Sequence, residues 1–242
     1  MSFHDDRARR LQAMRRHPGF AAKAEAYQLA IGGRMDYAFD WLGVPIIQLP
    51  EDVLALQECV VRGRADVVVE TGVARGGSIV FYASLLAATH ARGDFKVIGI
   101  DIDIRPHTRS AIEASPFAEK IELVQSSSTA PGIRERIAAT ILPGQRVMVV
   151  LDSDHEADHV WREIEAYKEL VADESFLVVM DTGIEYRNPG YYADRNWGPG
   201  NSPMTAVDRL LKSDPRFVVD EAIDSKIAVT ASPRGYLRKQ KG

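Results

Sequence analysis

Short apolar runs alternate with helix-like patterns from residue 66 toward the carboxyl end of the chain. Five runs rich in valine and isoleucine predict strands, at 66–71, 95–101, 121–125, 146–152 and 175–181. Their apolar residues do not alternate with polar ones, which is typical of strands buried on both faces of a parallel sheet. Helical periodicity fills the intervals, at 77–91, 107–115, 131–140 and 156–172. The alternation predicts right-handed crossovers and an α/β fold with a mostly parallel, doubly wound sheet.

The beginning of the chain departs from that alternation. Residues 1–65 predict a helical N-terminal extension, which includes EDVLALQECVVRG (51–63). A stretch before it, WLGVPIIQLP (41–50), is expected to be extended because Pro45 and Pro50 disfavour a helix there. We therefore predict this extension and one Rossmann-like domain over 66–242, forming a single compact unit.

The end of the chain departs from the alternation as well. A helix is predicted near 203–212, followed by two last strands at 217–220 and 226–231. The two strands are close enough in sequence to form a hairpin-like addition at one edge of the sheet.

Composition narrows the class of protein. The 242 residues carry a formal net charge of −4, which argues against a nucleic-acid surface. The single cysteine, Cys59, fits a reducing compartment, and no apolar run is long enough for a membrane span. We expect a cytoplasmic protein that binds neither nucleic acid nor membranes. Edge strands and the N-terminal arm predict a homo-oligomer.

Acidic side chains mark the carboxyl ends of four predicted strands. Asp101, Asp152 and Asp181 end their strands, and Glu70 stands one residue before the end of the first. Acids are poor strand formers and cost free energy to bury. Capping of the next helix explains any single one, but explains four less readily. Because ligands of open α/β sheets bind beyond the carboxyl ends of the strands, these acids are candidate binding residues.

The turn after the first strand combines Glu70 with Gly72, Gly76 and Gly77. Its spacing differs from the G-x-G-x-x-G of dinucleotide-binding enzymes. The glycines let a ligand approach the backbone, whereas the carboxylate repels phosphate and attracts an ammonium or hydroxyl group. This combination favours a cofactor with a cationic amino-acid portion, such as S-adenosylmethionine.

The next two strand ends supply further candidate cofactor contacts. Asp101 is placed to accept hydrogen bonds from two ribose hydroxyls, and Asp103 is a weaker claimant for the same role. The SSS segment at 126–128 follows the third strand, and we predict that Ser127 and Ser128 reach the adenine.

A second site is predicted where the fourth and fifth strands end. If these strands are neighbours, Asp152 and Asp181 lie about one strand spacing apart, roughly 5 Å. Two carboxylates that close repel unless a proton or a cation lies between them, and oxygen ligands favour Mg²⁺ or Ca²⁺. His155 begins the next helix, where it either removes a proton from a substrate hydroxyl or serves only as a cap.

The segment HEADH (155–159) matches the H-E-x-x-H pattern of zinc proteases. It begins at a strand–helix junction, and no histidine follows it as a third ligand. We interpret the match as accidental.

Five blocks occur in order along the chain: ETGVARGGS, IGIDIDIRPH, VLDSDH, VVMDT and GPGNSPMTAVDRLLKSDPRFVVD with KIAVTASPRGYLRK. On these blocks, residues from about Trp41 to Arg238 resemble the cephalosporin hydroxylase family. That family is similar to class I S-adenosylmethionine-dependent O-methyltransferases and is related to the macrocin and rhamnosyl O-methyltransferases. The resemblance implies methyl transfer to a hydroxyl of a sugar or an antibiotic-like natural product, often with Mg²⁺.

The resemblance also implies roles for individual residues. It places five around the methionine portion of the cofactor: Glu70, Gly72, Gly76, Gly77 and Ser78. It places Asp101 on the ribose, and Asp152 and Asp181 on a metal. We also assign Asp152 to the border of the cofactor and, with His155, to catalysis. In the more distant catechol O-methyltransferases, a catalytic lysine stands at the position of His155.

One departure from the family pattern concerns the metal. Many relatives have two adjacent acids at the end of the fifth strand, where this chain has Met180-Asp181-Thr182. Thr182 or Asp154 is therefore expected to supply the missing oxygen.

We predict an S-adenosylmethionine-dependent O-methyltransferase acting on a small hydroxylated molecule. The aromatic loop 183–202 contains Tyr186, Tyr191, Tyr192 and Trp197 and is either a lid over the substrate or an ordered surface loop. Two alternatives remain. An NAD-dependent enzyme is disfavoured by the glycine spacing and by Glu70, and a non-catalytic accessory subunit is the other.

Overall fold

The computed structural model describes residues 9–10, 12–13, 16, 29–30, 32, 34–90, 93–188, 190–191 and 193–242. Most of the predicted helical extension before residue 34 therefore lies outside the described residues, as do Tyr192 and residue 91 of the predicted helix 77–91. Residues 9–10, 12–13, 29–30 and 32 are helical.

A two-stranded hairpin precedes the main sheet. Strands β1 (Phe39–Trp41) and β2 (Val44–Ile46) pair antiparallel around Leu42 and Gly43. Both turn residues have positive φ, 50° and 83°, as the tight turns of two-residue hairpin loops require. The sequence predicted only an extended stretch here, because proline has no amide to donate and Pro45 therefore argued against strand pairing. Pro45 is tolerated because β2 is an edge strand.

Seven strands form the main sheet, in the order β5-β4-β3-β6-β7-β9-β8. Their bounds are β3 (Val67–Thr71), β4 (Lys96–Asp101), β5 (Ile121–Gln125), β6 (Val147–Leu151), β7 (Phe176–Val179), β8 (Phe217–Val219) and β9 (Tyr236–Lys239). The strands from β5 to β7 are parallel, and β9 is antiparallel to both β7 and β8. This confirms the mostly parallel α/β sheet and the adjacency of the fourth and fifth predicted strands.

Seven α-helices have bounds within the described ranges: α1 (Pro50–Gly63), α2 (Gly77–Thr89), α3 (Pro106–Glu113), α4 (Ile133–Ala138), α5 (Ala157–Tyr167), α6 (Pro203–Ser213) and α7 (Glu221–Asp224). Three 3₁₀ turns accompany them, at Met35–Tyr37, Ala118–Lys120 and Thr182–Tyr186. The helices from α1 to α6 correspond to predicted ones, with ends that differ by up to five residues. In this part of the chain, no helix has the length and apolar character needed to cross a bilayer.

Apolar side chains cover both faces of the sheet. Val68 of β3 points to the core beneath α1 and α2, whereas Val67 and Val69 point to the core beneath α5 and α6. All three valines are fully buried. The continuous apolar pattern of the strands therefore reflects helices on both faces, as predicted.

One predicted strand is wrong. Residues 226–231 form no strand, and the sheet position beside β7 is occupied by Tyr236–Lys239 instead. The backbone amides of Ala228, Val229 and Ala231 donate to side-chain carboxylates of α1 rather than to a neighbouring strand. Their hydrogen bonds are thus satisfied outside the sheet, which sequence periodicity does not reveal.

The order of the strands reverses between β3 and β6. The chain runs outward from β3 through β4 to β5 and then returns to β6 on the other side of β3. Crevices at such reversals, beyond the carboxyl ends of the strands, are the binding sites of open α/β sheets. Gly72 follows β3 at this point with φ +89°, and a Cβ built on it would lie 1.9 Å from the carbonyl oxygen of Asp152.

Gly72→Ala is expected to destabilise the protein more than a substitution that only strains the backbone. The added methyl group overlaps the β6–α5 turn, and overpacking of this kind costs about 1–3 kcal/mol beyond the left-handed φ. Gly144→Ala is the matched control, because Gly144 also has positive φ (+87°) but nothing within 4 Å of its would-be Cβ. Urea unfolding of both variants measures the difference, and equal losses would contradict the steric explanation.

Candidate cofactor and metal site at the sheet edge

The four acids predicted from strand ends lie at four adjacent strands. Glu70 is in β3, Asp101 ends β4, Asp152 follows β6, and Asp181 lies two residues beyond β7. Because these strands are parallel and neighbouring, their carboxyl ends share one edge of the sheet. Their charges interact, because Asp101 raises the pKa of Glu70 and Glu70 raises the pKa of Asp152.

Glu70 is a fully buried carboxyl group with one unsatisfied oxygen. The hydroxyl of Ser78, on the first turn of α2, donates to Glu70 Oε2 at 2.6 Å. Glu70 Oε1 has no hydrogen-bond partner in the described part of the chain, although the buried Tyr82 hydroxyl is close enough to lower the pKa of Glu70. Burial raises the pKa of Glu70 to about 8, and the Ser78 hydrogen bond opposes that rise. One oxygen of this buried carboxyl group is therefore left without a partner among the described residues.

Asp101 organises the glycine turn. Its Oδ2 accepts from the backbone amides of Val73 (2.8 Å) and Ala74 (3.1 Å), and its Oδ1 accepts from the amide of Asp103 (2.9 Å). The carboxylate of Asp103 is exposed and interacts only weakly with Arg105, at 3.5 Å. Asp101 thus links the ends of β3 and β4.

The amino end of α2 follows directly after the glycine turn. Gly76 precedes the helix and provides no side-chain cap, so the first amides of α2 lack intrahelical partners. A Cβ at Gly76 would overlap the side chain of Ile112, and one at Gly77 would overlap the backbone of Pro45 and Ile46. Close packing within the protein is therefore sufficient to explain the small size of these two residues, and their place beside the cofactor stays a prediction.

The predicted adenine contacts are largely engaged with other protein groups. Ser127 Oγ is 3.2 Å from Thr129 Oγ1, and Ser128 is buried with its Oγ 3.4 Å from His159 Nε2. The hydroxyl of Tyr167 donates to the Ser128 carbonyl at 2.6 Å. The structure thus connects Ser128 to helix α5, and the adenine role of both serines stays a prediction.

Asp152, His155 and Asp181 come together at the ends of β6 and β7. One ligand atom from each lies within 4.8 Å of the others, and no other such group of three occurs among the described residues. His155 Nε2 is 3.1 Å from Asp181 Oδ2 and 4.0 Å from Asp152 Oδ1. The expected proximity of the two aspartates is confirmed.

Electrostatic conditions in this cluster disfavour the ionised form of Asp152. Burial, and then repulsion from Asp181 and Glu70, raise the pKa of Asp152 well above its usual value. The side-chain amide of Gln48 opposes this by donating to Asp152 Oδ2 at 3.0 Å. Gln48 comes from the segment between the hairpin and α1, and no sequence signal connected it to the site.

The backbone at Asp181 has an unusual conformation. Its φ and ψ are 55° and 22°, in the left-handed region that costs an L-residue on the order of 1 kcal/mol. Thr182, a predicted metal ligand, is fully buried, and its hydroxyl donates to the Pro233 carbonyl at 2.7 Å. Asp154 accepts from the amide of Glu156 and is exposed. Neither is seen to join the cluster, and their metal roles stay predictions.

The aromatic loop contacts the cluster through Trp197. The rings of Trp197 and His155 meet edge to face, with centroids 5.0 Å apart. The loop is attached at its base, where Glu185 accepts from the Gly200 amide and the Ser202 hydroxyl. Asn201 Oδ1 also accepts from the first amide of α5, at 3.1 Å. These contacts hold the described part of the loop near Trp197 beside the histidine, and whether the loop opens or closes stays a prediction.

Comparisons with known proteins agree with this geometry. The sequence profile of the family described as Rhamnosyl O-methyltransferase/CmcI matches residues 33–240. The chain belongs to this family. A Rhamnosyl O-methyltransferase of Mycobacterium leprae (strain TN) is 28% identical over 203 residues, covering 81% of each chain. One of Mycobacterium tuberculosis (strain H37Rv) is 27% identical over 224 residues, covering 91% of this chain and 86% of the relative.

Solved structures support the fold of this O-methyltransferase family member. An apo structure of CmcI-N160 superposes with a TM-score of 0.62 at 20% identity, covering 85% of this chain and 78% of that one. A structure of CmcI-D160 with Mg and SAM gives a TM-score of 0.58 at 18% identity over the same shares. The Rossmann-like methyltransferase fold and the family resemblance inferred from the motifs are therefore confirmed.

The two histidines of HEADH have different environments in this methyltransferase. His155 precedes α5 and faces Asp181, whereas His159 lies within α5, with Nε2 3.1 Å from Ser153 Oγ and 3.4 Å from the buried Glu163. They do not share a ligand site, which supports the interpretation of the motif as accidental.

Glu70→Gln is expected to remove a pH-dependent loss of stability. The raised pKa keeps Glu70 protonated in the folded protein, so its contribution is complete below the unfolded value of about 4.5 and is lost as pH rises through about 8. Between about pH 6 and pH 8.5, the wild type should lose on the order of 2 kcal/mol more than Glu70→Gln in urea unfolding. Glu119→Gln, at an exposed site, is the control. Parallel pH profiles for wild type and Glu70→Gln would contradict a buried, protonated Glu70.

Proposed function

We propose that this protein transfers a methyl group from S-adenosylmethionine to a hydroxyl of a small molecule, with a divalent cation and His155 as general base. The observation that carries the proposal is the placement of Glu70 and Asp101 at one edge of the sheet beside the Asp152–His155–Asp181 cluster. Membership of the Rhamnosyl O-methyltransferase/CmcI family supports it, as does the SAM in the CmcI-D160 structure.

The residues around the glycine turn fit an amino-acid-bearing cofactor. Glu70 Oε1 is buried and has no partner among the described residues, and an ammonium group would both donate to it and favour the ionised carboxylate. The uncapped amino end of α2 offers backbone amides to a carboxylate, and Asp101 has the position to accept from ribose hydroxyls. S-adenosylmethionine supplies an electrophilic methyl group on a sulfonium centre. Glu70, Ser78, Asp101 and the turn would hold it in line with the acceptor.

The acid cluster fits a divalent cation. Two carboxylates and an imidazole nitrogen converge within 4.8 Å. The pKa of Asp152 is raised first by burial and then by repulsion from Asp181, and a cation would relieve that repulsion. Asp152 and Asp181 would hold Mg²⁺, with Thr182 or Asp154 as further oxygen donors. When bound, the ion lowers the pKa of a coordinated hydroxyl. The Mg in the CmcI-D160 structure supports this assignment.

His155 is proposed to accept the proton of the acceptor hydroxyl. Its Nε2 is directed toward the two aspartates, and Trp197 packs against its ring and restricts its orientation. The same nitrogen would also be able to coordinate a metal, and the two roles have different consequences for metal affinity.

The acceptor is proposed to be a sugar or a related hydroxylated natural product, as in antibiotic biosynthesis. The mycobacterial relatives are rhamnosyl O-methyltransferases, and the exposed rings of Tyr186 and Tyr191 lie in the aromatic loop. We further propose a cytoplasmic homo-oligomer, with the extension 1–65 and the domain 66–242 forming one unit.

Calorimetric titration is expected to detect binding of S-adenosylhomocysteine and not of NADH. Asp101→Asn should weaken S-adenosylhomocysteine binding about 10- to 100-fold, because hydrogen bonds to a charged acceptor and the order of the glycine turn are both lost. Asp94→Asn is the control, since Asp94 is exposed just before the opposite end of β4. Binding of NADH alone would favour the dehydrogenase alternative and contradict the proposal.

Measurements of Mn²⁺ affinity and of the methyl-transfer rate in two variants are expected to separate the roles of Asp181 and His155. Asp181→Asn should weaken Mn²⁺ binding, followed by electron paramagnetic resonance, at least about tenfold. His155→Ala should leave that affinity nearly unchanged and slow transfer to glycosylated acceptors by about 10²- to 10⁴-fold, the usual contribution of a general base.

A large loss of Mn²⁺ affinity in His155→Ala would make the histidine a ligand instead. Unchanged turnover in that variant, or wild-type protein inactive with every acceptor tried, would favour a non-catalytic accessory role. Turnover that survives chelation by EDTA would remove the metal from the proposal.

A further inference from the structure

We propose that the segment 228–233, here called the strap, fixes the backbone of Asp181, and that Ser232 and Asp52 act as positioning residues for the Asp152–His155–Asp181 cluster. The consequence for catalysis rests on the proposed function, whereas the mechanical role of the strap does not. The strap replaces the strand that sequence periodicity predicted at 226–231.

The strap is attached to the first turn of α1 by two adjacent acids. Glu51 accepts from the amides of Ala228 and Val229. Asp52, which is fully buried, accepts from the Thr230 hydroxyl and from the amide of Ala231 at 2.8 Å. The hydroxyl of Tyr236 also donates to Asp52, at 2.6 Å. An irregular segment is thus given the hydrogen bonds that it would otherwise find in a sheet.

The other side of the strap bonds to three consecutive residues beyond β7. The amide of Asp181 donates to Ser232 Oγ at 3.1 Å, and the amide of Gly183 donates to the Ala231 carbonyl at 2.8 Å. Between them, the Thr182 hydroxyl donates to the Pro233 carbonyl at 2.7 Å. Every residue from 181 to 183 is therefore held by the strap.

These contacts matter because Asp181 has a left-handed backbone, with φ 55°. An L-residue adopts this conformation only when its surroundings fix it, and a return to an ordinary φ would redirect the side chain. In the observed conformation, the Asp181 carboxylate is 3.1 Å from His155 Nε2. The amide of Ser232 donates to Thr230 Oγ1 at 2.9 Å. The geometry points to a chain of contacts from Asp52 through Thr230 and Ser232 to Asp181. This chain is analogous to the outer hydrogen bonds that orient metal-binding carboxylates.

Ser232→Ala tests the strap with the smallest change, because it removes the acceptor for the Asp181 amide and leaves the backbone of the strap intact. Ser175→Ala is a matched control: Ser175 is fully buried just before β7, at the opposite end of that strand, and its hydroxyl has no hydrogen-bond partner among the residues that the structure describes. Thr230→Val is a second variant, which breaks the link between Asp52 and Ser232 one step earlier.

Three measurements are made on each variant of the full chain: hydrogen exchange of the peptide 180–186, Mn²⁺ affinity and S-adenosylhomocysteine affinity. Ser232→Ala and Thr230→Val should exchange faster in this peptide and bind Mn²⁺ about 10-fold more weakly, within the range for outer-shell partners. Their S-adenosylhomocysteine affinity should match the wild type, which a general loss of structure would not allow. Ser175→Ala should match the wild type in all three.

Unchanged exchange in the peptide 180–186 would overturn the proposal, and so would faster exchange with undiminished Mn²⁺ affinity. Equal losses of Mn²⁺ and S-adenosylhomocysteine affinity would also overturn it, because they would indicate a merely structural role. Wild-type protein that binds S-adenosylhomocysteine but no Mn²⁺ would remove the metal from the proposed function. In that case, hydrogen exchange in the peptide 180–186 would be the only test of the mechanical role of the strap.

Discussion

Mutual repulsion and burial of carboxyl groups at one edge of the sheet are the constraint on which the site depends. Glu70 and Asp152 both have raised pKa values, chiefly because burial disfavours their ionised forms, and each is further affected by a neighbouring acid. Such groups cost free energy in the folded protein unless a cation or a proton neutralises them. The proposed ammonium-bearing cofactor and divalent ion would each supply a positive partner at this edge.

The backbone around these acids is set by packing within the protein. Gly72 is small because the carbonyl of Asp152 occupies the place of its Cβ, and Gly77 is small because the β1–β2 hairpin lies against it. The glycine turn after β3 is therefore packed against the β6–α5 turn. This packing brings the proposed cofactor site next to Asp152 of the acid cluster. A glycine-rich turn at a strand end is consistent with ligand binding, but here its spacing is explained by tertiary contacts.

Elements distant in sequence complete the acid cluster. Gln48 arrives from the segment before α1, Trp197 from the aromatic loop, and the strap connects the first turn of α1 to Asp181. Each contacts an acid or the histidine and so restricts its orientation, and Gln48 also lowers the pKa of Asp152. Orientation of this kind is what a methyl transfer requires, because in-line alignment and exclusion of water contribute much of the rate.

The sequence by itself determined the parallel sheet, most helices and the acids at the strand ends, because apolar runs and strand-end residues are local signals. Their order also carried the family resemblance. Only the tertiary structure decided that 226–231 is a strap and not a strand, since its amides bond to carboxylates some 180 positions earlier. It likewise decided the left-handed Asp181 and the separate surroundings of His155 and His159. Periodicity records which side chains are apolar, but not which distant group satisfies a given amide.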